Sequence, residues 1–477
     1  MTQAAPFNRR AVTLTMASVS FLLLLDTSIL NTSLPRVAES MGVLPLALSP
    51  SITGYLLASV AAMPLSGWLS DRFGARKLFL TAVAVFTLAS GACGISATLT
   101  QLVLARIFQG MAAGIMLTVG RTVAIRGAEK AELLSVSNLL TWPALFAPVV
   151  GPPLGGWITT YLSWRWNFLL NVPLGLVGLW VSAYFLPRDG EPRRDPLDWR
   201  GAVLTIGGLS TLFGGLEMAA QAPERGPGAW VLALCMGATG AVLLVLAVRH
   251  LTTAEKPLVS LAPLRVPTFA ACTFGGGVFA QLCLHATPYL LPLMWQLAYG
   301  ATAAAAGAML FPYFLGNLLI KTVVTRLLRA FGFRSIVLGD GLLAVACIAA
   351  CGLLGPDMSW LTLGAFLMVA GAARSTLFTA LNTLCFADVD HAQRAAAATL
   401  FSLSTLLSQS LGIVVSTLLL AGAVAVDERE GLSSLDFRVA FAAVGVIGVV
   451  AVLRFLRLPH DAGRDVSGHH GQPSRAR

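Results

Sequence analysis

Fourteen apolar stretches, each about 20 residues long and joined by short polar segments, dominate this 477-residue chain. They lie at about 11–34, 51–70, 78–98, 101–125, 133–160, 166–186, 201–220, 229–248, 268–297, 302–322, 334–354, 359–384, 395–422 and 437–457. A run of that length crosses the hydrocarbon as a helix, where each backbone group must find its partner within the segment. The series therefore predicts an all-α polytopic membrane protein. Charged residues make up 11% of the chain, against about 25% in soluble domains, which excludes a large soluble core. No small-residue cleavage site follows the first run, so Ala11–Leu34 is expected to be a retained span.

The net charge of +10 is placed by topology. Most of the 32 Lys and Arg fall in the joints on one side of the membrane. Arg36, Arg165, Arg225, Arg429 and Arg438 fall on the other, and Arg106, Arg121 and Arg374 lie inside spans. The positive-inside rule then predicts that both termini are cytoplasmic, and nucleic acid is not an expected partner. Trp164, Trp166, Trp199, Trp230 and Trp360 sit near span ends, as interfacial anchors do. The seven cysteines form no CxxC pair and read as small buried hydrophobes; neither a metal site nor a cofactor is expected.

Asp26 is the only charged residue between Arg10 and Arg36. A carboxylate at mid-membrane costs about 2.5–3.5 kcal/mol on insertion scales, so it faces a partner or a water-filled cavity. It reads either as a cap on a neighbouring helix or as an ion-coupling group. Counted along the helices, Asp26 in span one and Arg106 in span four reach similar depths, which predicts that they pair. A static ion pair and a proton site whose affinity changes with the position of the guanidinium are both consistent with that pairing.

The segment Gly67-Trp68-Leu69-Ser70-Asp71-Arg72-Phe73-Gly74-Ala75-Arg76-Lys77 recurs weakly 258 residues later as Arg329-Ala330-Phe331-Gly332-Phe333-Arg334. Leu34-Pro35 echoes Leu291-Pro292. The repeat predicts two six-helix bundles: residues 1–187, then a linker with two inserted helices over 188–267, then 268–458, with a disordered cytoplasmic tail at 459–477. In the first copy, Gly67 and Gly74 are expected to permit a tight turn. Asp71 is expected to accept from a helix N-terminus, and Arg72, Arg76 and Lys77 to bridge to carboxylates, so that the loop can gate.

That loop resembles the signature of the major facilitator superfamily. Arg106-Ile107-Phe108-Gln109-Gly110 is similar to its Arg-x-x-Gln-Gly motif, and Gly151-Pro152-Pro153-Leu154-Gly155-Gly156 to its antiporter motif. Leu25–Pro35, Trp164–Gly175 and the spacing of Pro292, Gln296, Gly300, Gly307 and Pro312 resemble the fourteen-helix drug:proton antiporters of the EmrB/QacA type. Gly371–Leu384 resembles their MdtD-like branch. Two departures stand out: Ala147 where the antiporter motif usually has glycine, and Arg374 in span twelve.

The resemblance implies a proton-coupled exporter of drugs or other small amphipathic compounds, working as a monomer in a bacterial inner membrane. The intramembrane arginines support a second expectation, export of anionic metabolites or organic-acid chelates. Candidate cavity residues are Asn31, Gln281, His285, Gln296, Asn317 and Arg374, with Asp340 a possible partner of Arg374. His285 also reads as a hydrogen-bonded core histidine, Lys321 and Arg121 as snorkelling cations, and Glu217 as interfacial. No Gly-x-Ser-x-Gly or nucleotide-binding loop is present to suggest an enzyme or an ATP-driven pump.

Overall fold

The computed structural model describes residues 9–125, 130–187, 189, 196–390, 393–427, 431–459 and 462–463. The expected tail is largely outside the described residues. Among those described there is no strand, and the chain folds as two compact units. One comprises Met1–Leu258 with Ala301–Ala308, the other Val259–Gly300 with Met309–Arg477.

The first unit holds α1 (Arg9–Leu30), α2 (Leu34–Met41), α3 (Ser49–Phe73), α4 (Ala75–Ile95), α5 (Leu99–Ile125), α6 (Lys130–Tyr161), α7 (Trp166–Leu169), α8 (Asn171–Phe185), α9 (Trp199–Arg225) and α10 (Pro227–Thr253). The second is built on α11 (Pro267–Ala270), α12 (Gly276–Leu297), α13 (Ala303–Leu319), α14 (Val324–Cys351), α15 (Trp360–Ala387), α16 (Arg394–Asp427) and α17 (Ser434–Arg454), the opening residues of α13 belonging to the first unit. Thirteen segments among the described residues are long and apolar enough to cross a membrane. The remaining expected span, 133–160, lies within the 32-residue helix α6.

Several local expectations are corrected. Span one ends at Leu30, and a turn leads into the short helix α2, closed by Gly42 at φ 65°. Residues ahead of span eleven are already helical from Val324, and Gly332 at φ 74° turns the chain within α14. Trp164 is buried, its indole Nε1 donating to Ser40 Oγ at 2.8 Å, so it packs as core rather than as an interfacial anchor. Cys235 is exposed on α10, unlike the other six cysteines. Glu217, expected near a span end, is buried, 8% exposed.

The inserted helices α9 and α10 form a hairpin held by close backbone approach. A Cβ on Gly240 would lie 2.4 Å from Leu212 N, and one on Gly215 2.7 Å from Gly237 N. Small residues of this kind drive helix association where lipid removes the hydrophobic incentive. The outer face of α10 is apolar and exposed at Trp230, Val231, Leu234, Val242 and Val245, as a lipid-facing helix requires. At the hairpin base, Asp198 accepts from Gly201 N at 2.8 Å, His250 Nε2 at 2.8 Å and Leu258 N at 3.0 Å.

Candidate functional site

The first unit places Asp26 inside a closed polar network. Glycines make it possible. Gly110 and Gly114 bring α5 against α3 so tightly that a Cβ would sit 2.2 Å from Tyr55 O and 2.4 Å from Ser59 O. The contact is closed by Ser59 Oγ donating to Gly110 O at 2.8 Å. On the other side, a Cβ on Gly151 or Gly155 of α6 would collide with Ser28 Oγ or Ile29 O of α1. Ala147, the departure from the motif, is fully buried beside Leu25 and Ile29, and its carbonyl accepts from Ser28 Oγ at 3.2 Å. Gly156 gives room to the opening of α13, where its Cβ would meet Ala303 O at 2.2 Å, and Gly307 gives room to Pro152 O.

Between these walls Arg106 Nη1 lies 2.7 Å from Asp26 Oδ2, with both side chains 1% exposed. Asp26 Oδ1 accepts from Gln109 Nε2 at 3.0 Å and from Asn171 Nδ2 at 2.5 Å. Arg106 also donates to Gln109 Oε1 at 2.7 Å and to Ser51 O at 3.2 Å, and its guanidinium stacks 4.1 Å from the Tyr55 ring centre. Gln109 Nε2 further donates to Ser90 Oγ at 2.8 Å. Thus α1, α3, α4, α5 and α8 each contribute a group. A buried pair of charges needs this degree of satisfaction to offset its desolvation. Ser90 and Tyr55 were not singled out by the sequence, and Gln109 and Asn171 stood there only within motif matches, without a role. Gln109 carried a signal, since it follows Arg106 by three residues and shares its helix face. Asn171 did too, standing four residues after Asn167, which itself donates to Ser33 Oγ at 2.6 Å and Thr159 Oγ1 at 2.8 Å.

The Gly67–Lys77 segment is organised by a residue the sequence reading missed. Asp189, after α8, accepts from Arg76 N at 2.7 Å and Lys77 N at 3.1 Å, capping α4. Gly74 takes φ 91°, and a Cβ there would lie 2.3 Å from the Asp189 carboxyl. Asp71, in the last turn of α3, is exposed and does not serve as that cap, because Asp189 takes both amides. Gly67 lies mid-helix with nothing within 4 Å of a Cβ, so it permits no turn or close approach. Arg72 stacks on Trp68 at 5.7 Å. The repeat is visible in geometry. Arg76 Nη2 donates to Ala183 O near the end of α8, and Arg334 Nη2 to Leu456 O just past α17, each arginine two residues after a glycine of positive φ.

The second unit gathers most of the candidate cavity residues. Gly316 and Gly371 cross α13 and α15 with backbones touching: Cβ atoms would lie 2.0 Å from Met368 O and 1.7 Å from Tyr313 O. This turns Arg374 toward α12 and α13. Its Nε donates to Leu284 O at 3.3 Å and its guanidinium lies 5.9 Å from the Phe314 ring centre. It is close enough to act electrostatically on Lys321, His285 and the Tyr313 hydroxyl. Asp340 is not its partner: it stands on α14, with its Oδ2 buried and unpartnered. Lys321 does not snorkel freely, since its Nζ donates to Thr379 Oγ1 at 2.6 Å; Arg121 is exposed. His285 Nε2 and both amide atoms of Gln281 are buried without a partner. Gln296 Nε2 is bound to Pro292 O at 3.2 Å, and Asn317 is half-buried on α13. Asn31 belongs to the first unit, in the turn after α1. No cluster of His, Cys, Asp or Glu able to hold a metal occurs among the described residues.

The family model described as Major Facilitator Superfamily matches residues 16–412 and again 269–476. Proteins called MdtD and named for multidrug resistance are 31% identical to this chain. The match covers 457 residues in Escherichia coli and 454 in Shigella sonnei, 94% of each chain in both cases. Among solved structures, a bacterial homologue of the human lysosomal transporter Spinster, in an inward-facing and unoccupied conformation, aligns with a TM-score of 0.66 at 15% identity, covering 99% of this chain and 100% of that one. The nucleoside transporter NupG aligns at 0.57 and 12% identity over 93% and 99%.

Proposed function

The chain belongs to the major facilitator superfamily and is an integral membrane protein, and from that premise we propose that it is a proton-coupled exporter of small amphipathic compounds, working by alternating access in a bacterial inner membrane with both termini cytoplasmic. The drug-export part follows the naming of its MdtD relatives. The coupling part rests on one observation, the Asp26–Arg106 pair. Every donor around Asp26 needs a carboxylate oxygen as acceptor. Oδ1 already accepts two hydrogen bonds, so a proton arriving there displaces Gln109 or Asn171, and a proton on Oδ2 removes the charge that Arg106 pairs with; either way proton binding is tied to rearrangement of the network. Arg106 is the group that answers the change. The Gly67–Lys77 segment serves as the gate, and the glycines Gly151, Gly155 and Gly156, with Pro152, set the packing of α6 that the cycle works against.

The test is a set of inside-out vesicles with an imposed pH gradient, reading proton release on substrate addition. Asp26→Asn should abolish it. Full coupling in that variant, with correct insertion, overturns the reading.

A second reading, export of an anionic metabolite or chelate, is favoured by Arg374, whose guanidinium meets a carbonyl and a ring but no carboxylate. Gln281, His285, Asn317 and Lys321 would complete the anion's polar contacts. Here Arg374→Ala should weaken an anionic substrate by about tenfold or more while sparing cationic dyes. Equal loss for both would make Arg374 structural.

A further inference from the structure

Glu217 belongs to neither network. It sits on the inserted helix α9, and its Oε1 accepts from Ser49 Oγ at 2.9 Å and Thr53 Oγ1 at 2.7 Å. Its Oε2 is buried and has no partner. A buried carboxylate oxygen without a donor is costly, and native structures leave few such groups without a purpose. Glu217 also lines a cavity of about 460 Å³ bounded by α3, α5 and α9, within the size range of small-molecule sites. The rest of the wall is nearly all apolar, including Leu57, Ala61, Met111, Ile206 and Phe213, and Glu217 is its only charged residue. Helix α3 divides this cavity from the Asp26 network: Ser51 and Tyr55 serve Arg106, whereas Thr53 serves Glu217.

The geometry points to a second binding site, between the inserted hairpin and the α3–α5 wall, for a monovalent lipophilic ammonium ion whose N–H donates to Glu217 Oε2 and whose hydrocarbon body lies along Ala61, Met111 and Ile206. Charge complementarity selects this occupant. A neutral lipid chain would fill the apolar wall but leave Oε2 as it is, and an anion would face the carboxylate. Such a site gives the two inserted helices a role in collecting substrate from the bilayer.

The experiment is an equilibrium fluorescence titration of the full chain in lipid nanodiscs, without a pH gradient, so that it stands whatever becomes of coupling at Asp26. The probe is dansylcadaverine, with empty nanodiscs as the blank and a dansyl pentylamide lacking the ammonium as the neutral control. Wild type should bind the ammonium saturably, and Glu217→Gln should weaken it about tenfold or more. The neutral control should bind both proteins equally weakly. Should Glu217→Gln fail to fold, Ala61→Phe decides, because it fills the cavity and leaves the Glu217 bonds in place; it should lose binding. Wild-type affinity in either folded variant overturns the site. Equal affinity for the charged and neutral probes overturns the ammonium assignment and leaves a lipid-chain cleft.

Discussion

Replacing Asp26 by Asn separates the structural and coupling roles of the buried network. Three donors converge on the carboxylate: Arg106 Nη1, Gln109 Nε2 and Asn171 Nδ2. An asparagine has one acceptor oxygen and an amide nitrogen that can only donate, so at least one of the three meets another donor. The Arg106 charge also stays buried at 1% exposure without its counter-ion. Breaking a buried pair in this way costs about 3–5 kcal/mol. The cost is held toward the lower end because Arg106 keeps Ser51 O, Gln109 Oε1 and the Tyr55 ring. The compensating exchange is Asp26→Asn with Asn171→Asp. It returns a carboxylate to the network, one helix away, with the new amide at 26 donating to it. Unfolding equilibria in mixed SDS micelles should show the single variant destabilised by about 3 kcal/mol and most of that recovered in the double variant. Vesicle assays of proton release should find both inactive if the carboxylate must stand on α1. A single variant as stable as wild type would refute the account of the network. A double variant recovering stability and coupling together would show that the position on α1 is not required.

Gly74→Ala should destabilise the protein by more than Asp189→Ala, since it forces both an unfavourable backbone at φ 91° and a collision with the carboxyl 2.3 Å away; removing Asp189 alone costs the capping bonds, about 0.5–2 kcal/mol, by the same micelle assay. At the hairpin base, burial pushes the Asp198 carboxyl up, but the Gly201 amide, the His250 ring and the Leu258 amide together hold it below the ordinary carboxylate range. A depressed carboxyl adds stability above the unfolded value and loses it as pH falls through the folded one. Protease sensitivity at 254–257 should therefore rise on acidification below about pH 4. In Asp198→Asn it should be high already at neutral pH and insensitive to acid.

The spans were legible because a bilayer imposes one length and one composition on each of them. The Asp26–Arg106 pair was legible from depth along two helices, since rise per residue is fixed. What the residues alone hid was lateral. Asn171 reaches Asp26 across 145 positions, and Asp189 reaches Arg76 across 113. Neither could be placed before the bundle closed. Asp71 drew the capping role because a carboxylate can accept from the amides of a nearby helix start, but those of α4 are taken by Asp189. Arg374 and Asp340 matched in depth, and their helices α15 and α14 pack together, but Arg374 turns toward α12 and α13 whereas Asp340 meets the backbone at Leu377, a difference that depth cannot report.

The hairpin has one more consequence. Its helices are 27 residues each, about 40 Å at 1.5 Å per residue, longer than a hydrocarbon layer of about 30 Å. Such helices accommodate by tilting, or by deforming the lipid around them. With α10 facing lipid along most of its length, this pair meets changes in membrane thickness directly. The load passes through α9 to the bonds that Ser49 and Thr53 make to Glu217. A tilt of the hairpin is thus felt by the first bundle at the α3–α9 contact, where the Glu217 bonds are its polar part.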